Sequence, residues 1–182
     1  MSNLSWGKPR IFVKDLDTQN ADWKELNTPV QDSTELQPTK GDRMDAPIEG
    51  GENEETKYKD SSFAVVYNIR KYKGREVPIP NKNGVAKKHY SFMLQPEDPT
   101  NIGFYIEKTT VSVDDTFTAN DGAIWAIQHD ALAASSGNTV KWGTVAIANG
   151  TGDAKTITFT ETQLAEGQET ATTVSGNVVV LS

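Results

Sequence analysis

The sequence lacks the residues on which most reaction centres depend. It contains no cysteine and only two histidines among 182 residues, so it offers no thiol for a disulfide, a thiolate metal site or a cysteine nucleophile. Neither a phosphate-binding glycine motif nor a G-x-S-x-G nucleophile turn is present. His89 and His129 lie far apart in strand-like segments, and we interpret both as surface or packing residues. The sequence therefore predicts no catalytic, cofactor-binding or metal-binding residues and a protein that is not an enzyme.

Positive charge is also scarce. The formal net charge is −7, with 18 Lys and Arg against 25 Asp and Glu. Proteins that bind a nucleic-acid backbone concentrate cations on one face to displace counterions, and this balance argues against that class. The length fits one domain, which at this size buries roughly 70% of its unfolded surface without disulfides or metals.

Long hydrophobic runs are absent as well. No apolar run approaches the roughly 18 residues of a membrane span, and residues 1–8 lack the basic-then-apolar order of a signal peptide. We therefore expect synthesis and residence in the cytosol, with no membrane partner.

Short β-type runs separated by Gly, Pro, Asn and Asp fill the chain instead. The clearest spans residues 62–70, where Phe63, Val65, Tyr67 and Ile69 share one face with a period of two. Its predicted partner is 88–95, across a loop that contains an Asn-Gly turn signal. Further runs are predicted at 103–113, 139–148, 155–160, 169–174 and 177–181.

Residues 116–134 fit two structures. As a helix, the segment would have Thr118 or Asn120 as its N-cap and Gly137 as its C-cap. As a strand over 123–132, it would place Trp125 and His129 on one face, and we favour the strand. With about eight to ten strands, the chain is predicted to be all-β, a β-sandwich or barrel-like fold with long loops and room for one short helix.

Two segments look weakly structured. Residues 1–22 hold a single apolar patch, Ile11 to Val13, which fits either a first strand or an arm ordered by a neighbour. We assign 1–22 to an N-terminal arm and 23–182 to a single β-sandwich domain. Residues 34–49 read as a hairpin, and 50–60 as an exposed loop. Because arm and loop carry few apolar residues, both are expected to become ordered only on assembly.

Two charged clusters are the candidate interaction residues. The acidic cluster lacks the spacing of a calcium loop, and the basic cluster with its interleaved Tyr72 also fits single-stranded nucleic acid. We favour a contact between the two clusters, within a subunit or between copies, where opposite charges set orientation. The acidic residues are Glu49, Glu52, Glu54 and Glu55, and the basic residues are Arg70, Lys71, Lys73 and Arg75.

Five short motifs together resemble the major tail (tail tube) proteins of bacteriophages and prophages, in particular those of Bacteroides-type hosts. The likeness covers about Trp23 to Val145. The motifs are Ala46-Pro47-Ile48-Glu49-Gly50-Gly51, Ile69-Arg70-Lys71-Tyr72-Lys73-Gly74-Arg75, Leu94-Gln95-Pro96-Glu97-Asp98-Pro99, Gly103-Phe104-Tyr105-Ile106 and Asp121-Gly122-Ala123-Ile124-Trp125.

The resemblance implies a structural virion protein whose copies form rings, commonly hexameric, that stack into a DNA-conducting tube. Its partners would be itself and other tail proteins, with DNA only in transit, and its location the virion tail after assembly in the host cytoplasm. The alternatives are another virion component, such as a capsid decoration or tail-terminator protein, and a ligand- or carbohydrate-binding β-sandwich that uses its Trp residues.

Overall fold

The computed structural model describes residues 3–151 and 154–181, and within these ranges the chain is all-β, with twelve strands and no helix. The prediction of an all-β, sandwich- or barrel-like fold is confirmed, and the short helix does not form. The strands are β1 (Arg10–Asp15), β2 (Trp23–Glu25), β3 (Glu35–Thr39), β4 (Arg43–Pro47), β5 (Asn53–Tyr58), β6 (Ser62–Arg70), β7 (Val85–Gln95), β8 (Gly103–Thr118), β9 (Gly122–Ala131), β10 (Val140–Asn149), β11 (Lys155–Gln163) and β12 (Thr173–Val180).

Seven strands close into a barrel. The ladder runs from β8 through β10, β11, β12, β2, β1 and β7 back to β8. Every pairing in this circuit is antiparallel except β12 with β2. Closure removes the free edges that these strands would otherwise expose. Apolar side chains fill the interior: Phe12, Trp23, Met93, Tyr105, Val145, Ile157, Phe159 and Val178.

Strand β8 also belongs to a second layer. Residues 103–106 of β8 pair with β10, whereas residues 109–118 pair with β9. Strand β9 in turn pairs with β6, and β6 pairs with β3. Gly103, the first residue of β8, faces Gly143 of β10. A Cβ at either position would lie 2.0 Å from a carbonyl oxygen of a neighbouring strand, so only glycine permits this close approach.

The two layers share β1 and β7, and both strands are therefore buried on both faces. Phe12 points into the barrel, whereas Ile11 and Val13 pack in the second core. Consecutive apolar residues therefore mark a doubly buried strand here. The assignment of residues 1–22 to an arm is wrong for 10–15, which lie between β2 and β7. Residues 1, 2 and 182 of the predicted domain bounds lie outside the described residues.

The predicted hairpin at 34–49 is wrong. Strand β3 pairs with β6, and β4 instead pairs with β5. The turn lies at Gly50 and Gly51, whose φ angles of 99° and 85° suit glycine. The predicted loop at 50–60 is accordingly a strand over 53–58, although every residue of that strand is exposed.

The predicted partner of β6 is also wrong. Strand β6 pairs with β9 and β3, whereas β7 pairs with β1 and β8. Hairpin loops usually span two to five residues, and the long connection 71–84 instead carries the chain away from β6. The predicted periodicity of β6 holds, since Val65, Tyr67 and Ile69 are fully buried, and the strand predicted at 123–132 is present as β9.

Two phenylalanines provide a test of the barrel core. Phe159 is fully buried, whereas Phe117 is 76% exposed. Phe159→Ala should lower the free energy of unfolding by about 3–5 kcal/mol, because it removes transfer energy and leaves a cavity. The matched Phe117→Ala should change it by less than about 0.5 kcal/mol. Urea unfolding of the two variants checks this, and similar losses would contradict the assignment of Phe159 to the core.

Candidate interaction surface

Strands β4 and β5 form a hairpin separate from the main sheet. They make a two-stranded sheet of their own, and all of their residues are exposed. A two-stranded hairpin without a packed face is marginally stable at best in water. The hairpin therefore lacks a supporting surface within the described part of the subunit.

On one face of the hairpin, polar and charged side chains contact one another. Arg43 Nε lies 2.7 Å from Asp45 Oδ1, and Thr56 donates a 2.9 Å hydrogen bond to the same carboxylate. These hydrogen bonds lower the pKa of Asp45. Tyr58, which pairs with Arg43, lies on the same face. Lys40 Nζ lies 4.4 Å from the centre of the Tyr58 ring, a favourable cation–π distance.

The opposite face is apolar along its centre. Alternation along β4 places Met44 and Ala46 on this face. Ile48 follows directly after β4, and Met44 and Ile48 are 55% and 48% exposed. Glu55 and Lys57 stand opposite Ala46 and Met44 in β5. An exposed apolar stripe bordered by charge has the composition of a protein contact.

The four predicted acidic residues lie along β5 and its turn. None of Glu49, Glu52, Glu54 and Glu55 forms an ion pair with a described cation. These four carboxylates therefore make no close ion pair within the described part of the chain.

The four predicted basic residues lie at and just after the end of β6. Lys71 forms an ion pair with Asp115 and lies 5.4 Å from the centre of the Trp125 ring. Arg70 donates to the main-chain carbonyl of Asp121, and Arg75 donates to the carbonyl of Arg70 at 2.8 Å.

Three of these cations have no carboxylate partner among the described residues: Arg70, Lys73 and Arg75. Nor does any ion pair join the acidic and basic clusters there. Three unpaired cations and four unpaired carboxylates thus lie on separate parts of one described chain.

Two exposed aromatic side chains lie near the basic cluster. Tyr72 is 58% exposed, and the Arg75 guanidinium carbon lies 4.2 Å from the centre of its ring. Phe117, in β8 near the turn to β9, is 76% exposed. Our sequence reasoning did not single out Phe117. In the sequence, only strand alternation could have pointed to Phe117, because it places this residue on the same face as Val113 and Asp115.

His129 belongs to a buried hydrogen-bond network. Thr109 donates to the carbonyl of Tyr90 at 2.8 Å, so its oxygen accepts from His129 Nδ1 at 3.0 Å. His129 Nε2 then accepts from the Tyr67 hydroxyl at 2.8 Å. Burial lowers the pKa of His129 to about 3 and raises that of Tyr67. Each group has its partner, which makes this network part of the core.

The tryptophans do not form a common platform. Trp23 and Trp125 are buried in different cores, and Trp142 packs against Phe104 with ring centroids 5.3 Å apart. Only Trp6 of the four is strongly exposed, at 69%. A shared sugar-stacking surface, as the carbohydrate-binding alternative requires, is not assembled by these residues.

Within residues 3–151 and 154–181, no three His, Cys, Asp or Glu side chains come together as a metal site. The same ranges contain no helix with the length and apolar character needed to cross a membrane.

Compared with models of known protein families and with curated proteins, the sequence matches none of them.

The His129 network predicts a stability loss in mild acid. Because the folded pKa lies below the unfolded value of about 6.5, stabilisation is complete above that pH and is lost as the pH falls. The free energy of unfolding should drop by about 1.6 kcal/mol from pH 6.5 to pH 5, since the slope rises from about 0.7 to about 1.4 kcal/mol per pH unit over this range.

Urea unfolding at several pH values measures this loss. His129→Gln should be less stable at neutral pH but show a much flatter profile. Carboxylates with lowered pKa, such as Asp45, contribute mainly at lower pH. Equal slopes for both proteins between pH 6.5 and 5 would contradict the assignment.

Proposed function

We propose that the protein is a structural virion subunit, a major tail tube protein whose copies assemble into rings that stack into a DNA-conducting tube. The observation that carries the proposal is the exposed β4–β5 hairpin. Its Glu49, Glu52, Glu54 and Glu55 have no ion-pair partner among the described residues, while three cations without a carboxylate partner there, Arg70, Lys73 and Arg75, lie elsewhere on the same chain. The sequence resemblance to tail tube proteins supports the same function. The site of action would be the virion tail, after assembly in the host cytoplasm.

The hairpin supports self-assembly on energetic grounds. Ordering a residue costs about 1–2 kcal/mol of backbone entropy, and this hairpin buries little apolar surface in return. Packing on a neighbouring copy would provide the missing burial. A segment of this kind therefore favours a protein that works in an assembly.

The charges favour a contact between different patches of two copies. Such a heterologous contact closes into a ring or continues as a filament, depending on the rotation between copies. Each exposed ion pair contributes only about 0–1 kcal/mol. Because such ion pairs repeat at every interface of a ring, their summed contribution is significant. The opposite charges also set the orientation of neighbouring copies.

The overall charge suits a conduit for DNA. At a net charge of −7, the protein repels phosphates rather than retaining them. The basic cluster, which would otherwise attract DNA, is engaged by the acidic hairpin of a neighbour in this proposal.

Negative-stain electron microscopy of the purified protein tests the class of assembly. Stacked rings or tubes are expected. Single rings without stacking would favour a tail-terminator protein. A monomer at all concentrations would overturn the proposal and favour a binding module.

Reversing the unpaired cations tests the charge contact. The triple variant Arg70→Glu, Lys73→Glu, Arg75→Glu should abolish rings and tubes while leaving the circular dichroism of the monomer unchanged. The matched control reverses three other exposed cations, Lys82, Lys87 and Lys108, and should still assemble.

Reversal of Glu49, Glu52, Glu54 and Glu55 to Lys in the triple variant should partly restore assembly. If the triple variant assembles normally but loses affinity for single-stranded DNA, the basic cluster binds nucleic acid and the charge contact is wrong.

A further inference from the structure

A cleft lies on the outer face of the barrel wall, lined mainly by segments 15–22 and 78–88. Its cavity volume is about 710 Å³, within the range of roughly 300–1,000 Å³ that is usual for small-molecule sites. One row of residues across three strands forms its floor, because Val179 pairs with Lys24 and Lys24 pairs with Val13. This row faces away from the barrel interior, since Val13 packs in the second core.

Hydrogen bonds within the chain hold the two lining segments in place. In the first segment, Asp15 accepts from the amide of Thr18 at 3.2 Å and from its hydroxyl at 2.7 Å. In the second, Lys82 and Val85 exchange main-chain hydrogen bonds of 3.0 and 3.2 Å across a tight turn. Lys88 connects the two segments, since its Nζ lies 2.8 Å from both Asp15 Oδ2 and Thr18 Oγ1. The cleft is therefore formed before a ligand binds.

Positive charge predominates among the lining residues. Four lysines, Lys24, Lys82, Lys87 and Lys88, line the cleft with two aspartates, Asp15 and Asp22. Lys88 pairs with Asp15 at 2.8 Å, whereas the other three lysines form no ion pair with a described residue. A cleft with an excess of one charge raises the local concentration of ions of the opposite sign. This cleft therefore favours an anion, although the whole protein has a net charge of −7.

A buried hydroxyl group provides a further hydrogen-bond donor. Tyr90 lines the cleft and is 5% exposed, and its hydroxyl makes no hydrogen bond to a described residue. Burial, together with the nearby Asp15 and Asp17, raises the pKa of Tyr90, so the hydroxyl is protonated at neutral pH. A buried hydroxyl without a partner carries a desolvation penalty, which a bound acceptor would remove.

Apolar side chains complete the lining. Val85 and Val179 are 62% and 50% exposed, and Pro78 and Pro80 also line the cavity. An inorganic anion would leave these side chains uncovered. A ligand that joins an anionic group to an apolar body would cover them and would also meet the unpaired lysines.

We propose that this cleft binds a small organic anion, with its carboxylate, sulfonate or phosphate group among the three unpaired lysines and its apolar part against Val85 and Val179. The Tyr90 hydroxyl donates a hydrogen bond to the ligand. The site is independent of the self-assembly proposed above, because none of its residues belongs to the hairpin or to the basic cluster.

Fluorescence titration with anilinonaphthalene sulfonate tests the site, because this probe joins a sulfonate to an apolar body. The native protein should bind about one probe molecule per chain. The double variant Lys24→Gln, Lys87→Gln should weaken binding by at least about tenfold, and Tyr90→Phe by about threefold. The matched control Lys57→Gln, Lys108→Gln removes two exposed lysines outside the cleft and should bind the probe as the native protein does.

Phenylnaphthylamine, which has the same aromatic groups without the sulfonate, separates recognition of charge from apolar binding. Its affinity should be the same for the native protein and for the double lysine variant, with circular dichroism as the check that each variant is folded. Failure of the native protein to bind the sulfonate probe, or equal binding by the native protein and the double variant, would overturn the proposal. Equal losses for both probes would also overturn it, because charge would then play no part.

A single-stranded DNA oligonucleotide provides the comparison with nucleic acid. If the double lysine variant loses affinity for the oligonucleotide but keeps its affinity for the sulfonate probe, the cleft binds nucleic acid and the small-anion site is wrong. Loss of the sulfonate probe alone is the result that the proposed site predicts.

Discussion

The structure depends on one constraint, the division of strand β8 between two partners along the same edge. Its first residues close the barrel against β10, and its remainder pairs with β9 in the second layer. At the start of β8, Gly103 faces Gly143, and a Cβ at these positions would lie 2.0 Å from the carbonyl oxygens of Leu94 and Thr160 in the strands on either side. Both hydrophobic cores and the position of Phe117 follow from this one strand.

A long β8 also explains the exposure of Phe117 and the position of Lys71. Residues 103–113 are mostly buried between the layers, whereas 114–118 extend beyond them and are exposed on both faces. This extension carries Asp115 to Lys71 and leaves Phe117 outside the core. Of the basic cluster, Lys71 is therefore held on the same face of the sheet as Phe117 by its pairing with Asp115. The acidic hairpin is connected to the same sheet through β3 and β6, but its own strands pair only with each other.

Sequence reasoning succeeded where one face of a strand is buried, as in β6 and β9, because alternation there reports burial directly. It left β1 undecided between a first strand and an arm, since Ile11, Phe12 and Val13 contribute to two cores and do not alternate. It failed for the hairpin, whose exposed strands carry no burial pattern. The charged candidate residues could be identified from the sequence, but only the fold shows which of them lack ion-pair partners. Phe117 is exposed because the end of β8 extends beyond the core.

The central claim is that the hairpin is supported by a neighbouring copy rather than by its own subunit. Backbone hydrogen exchange compares the assembled protein with the subunit kept monomeric by dilution. Amides of residues 43–58 should exchange rapidly in the monomer and at least about tenfold more slowly in the assembly, while those in the middle of β8 stay protected in both. Equal exchange of the hairpin amides in the two states would contradict the account.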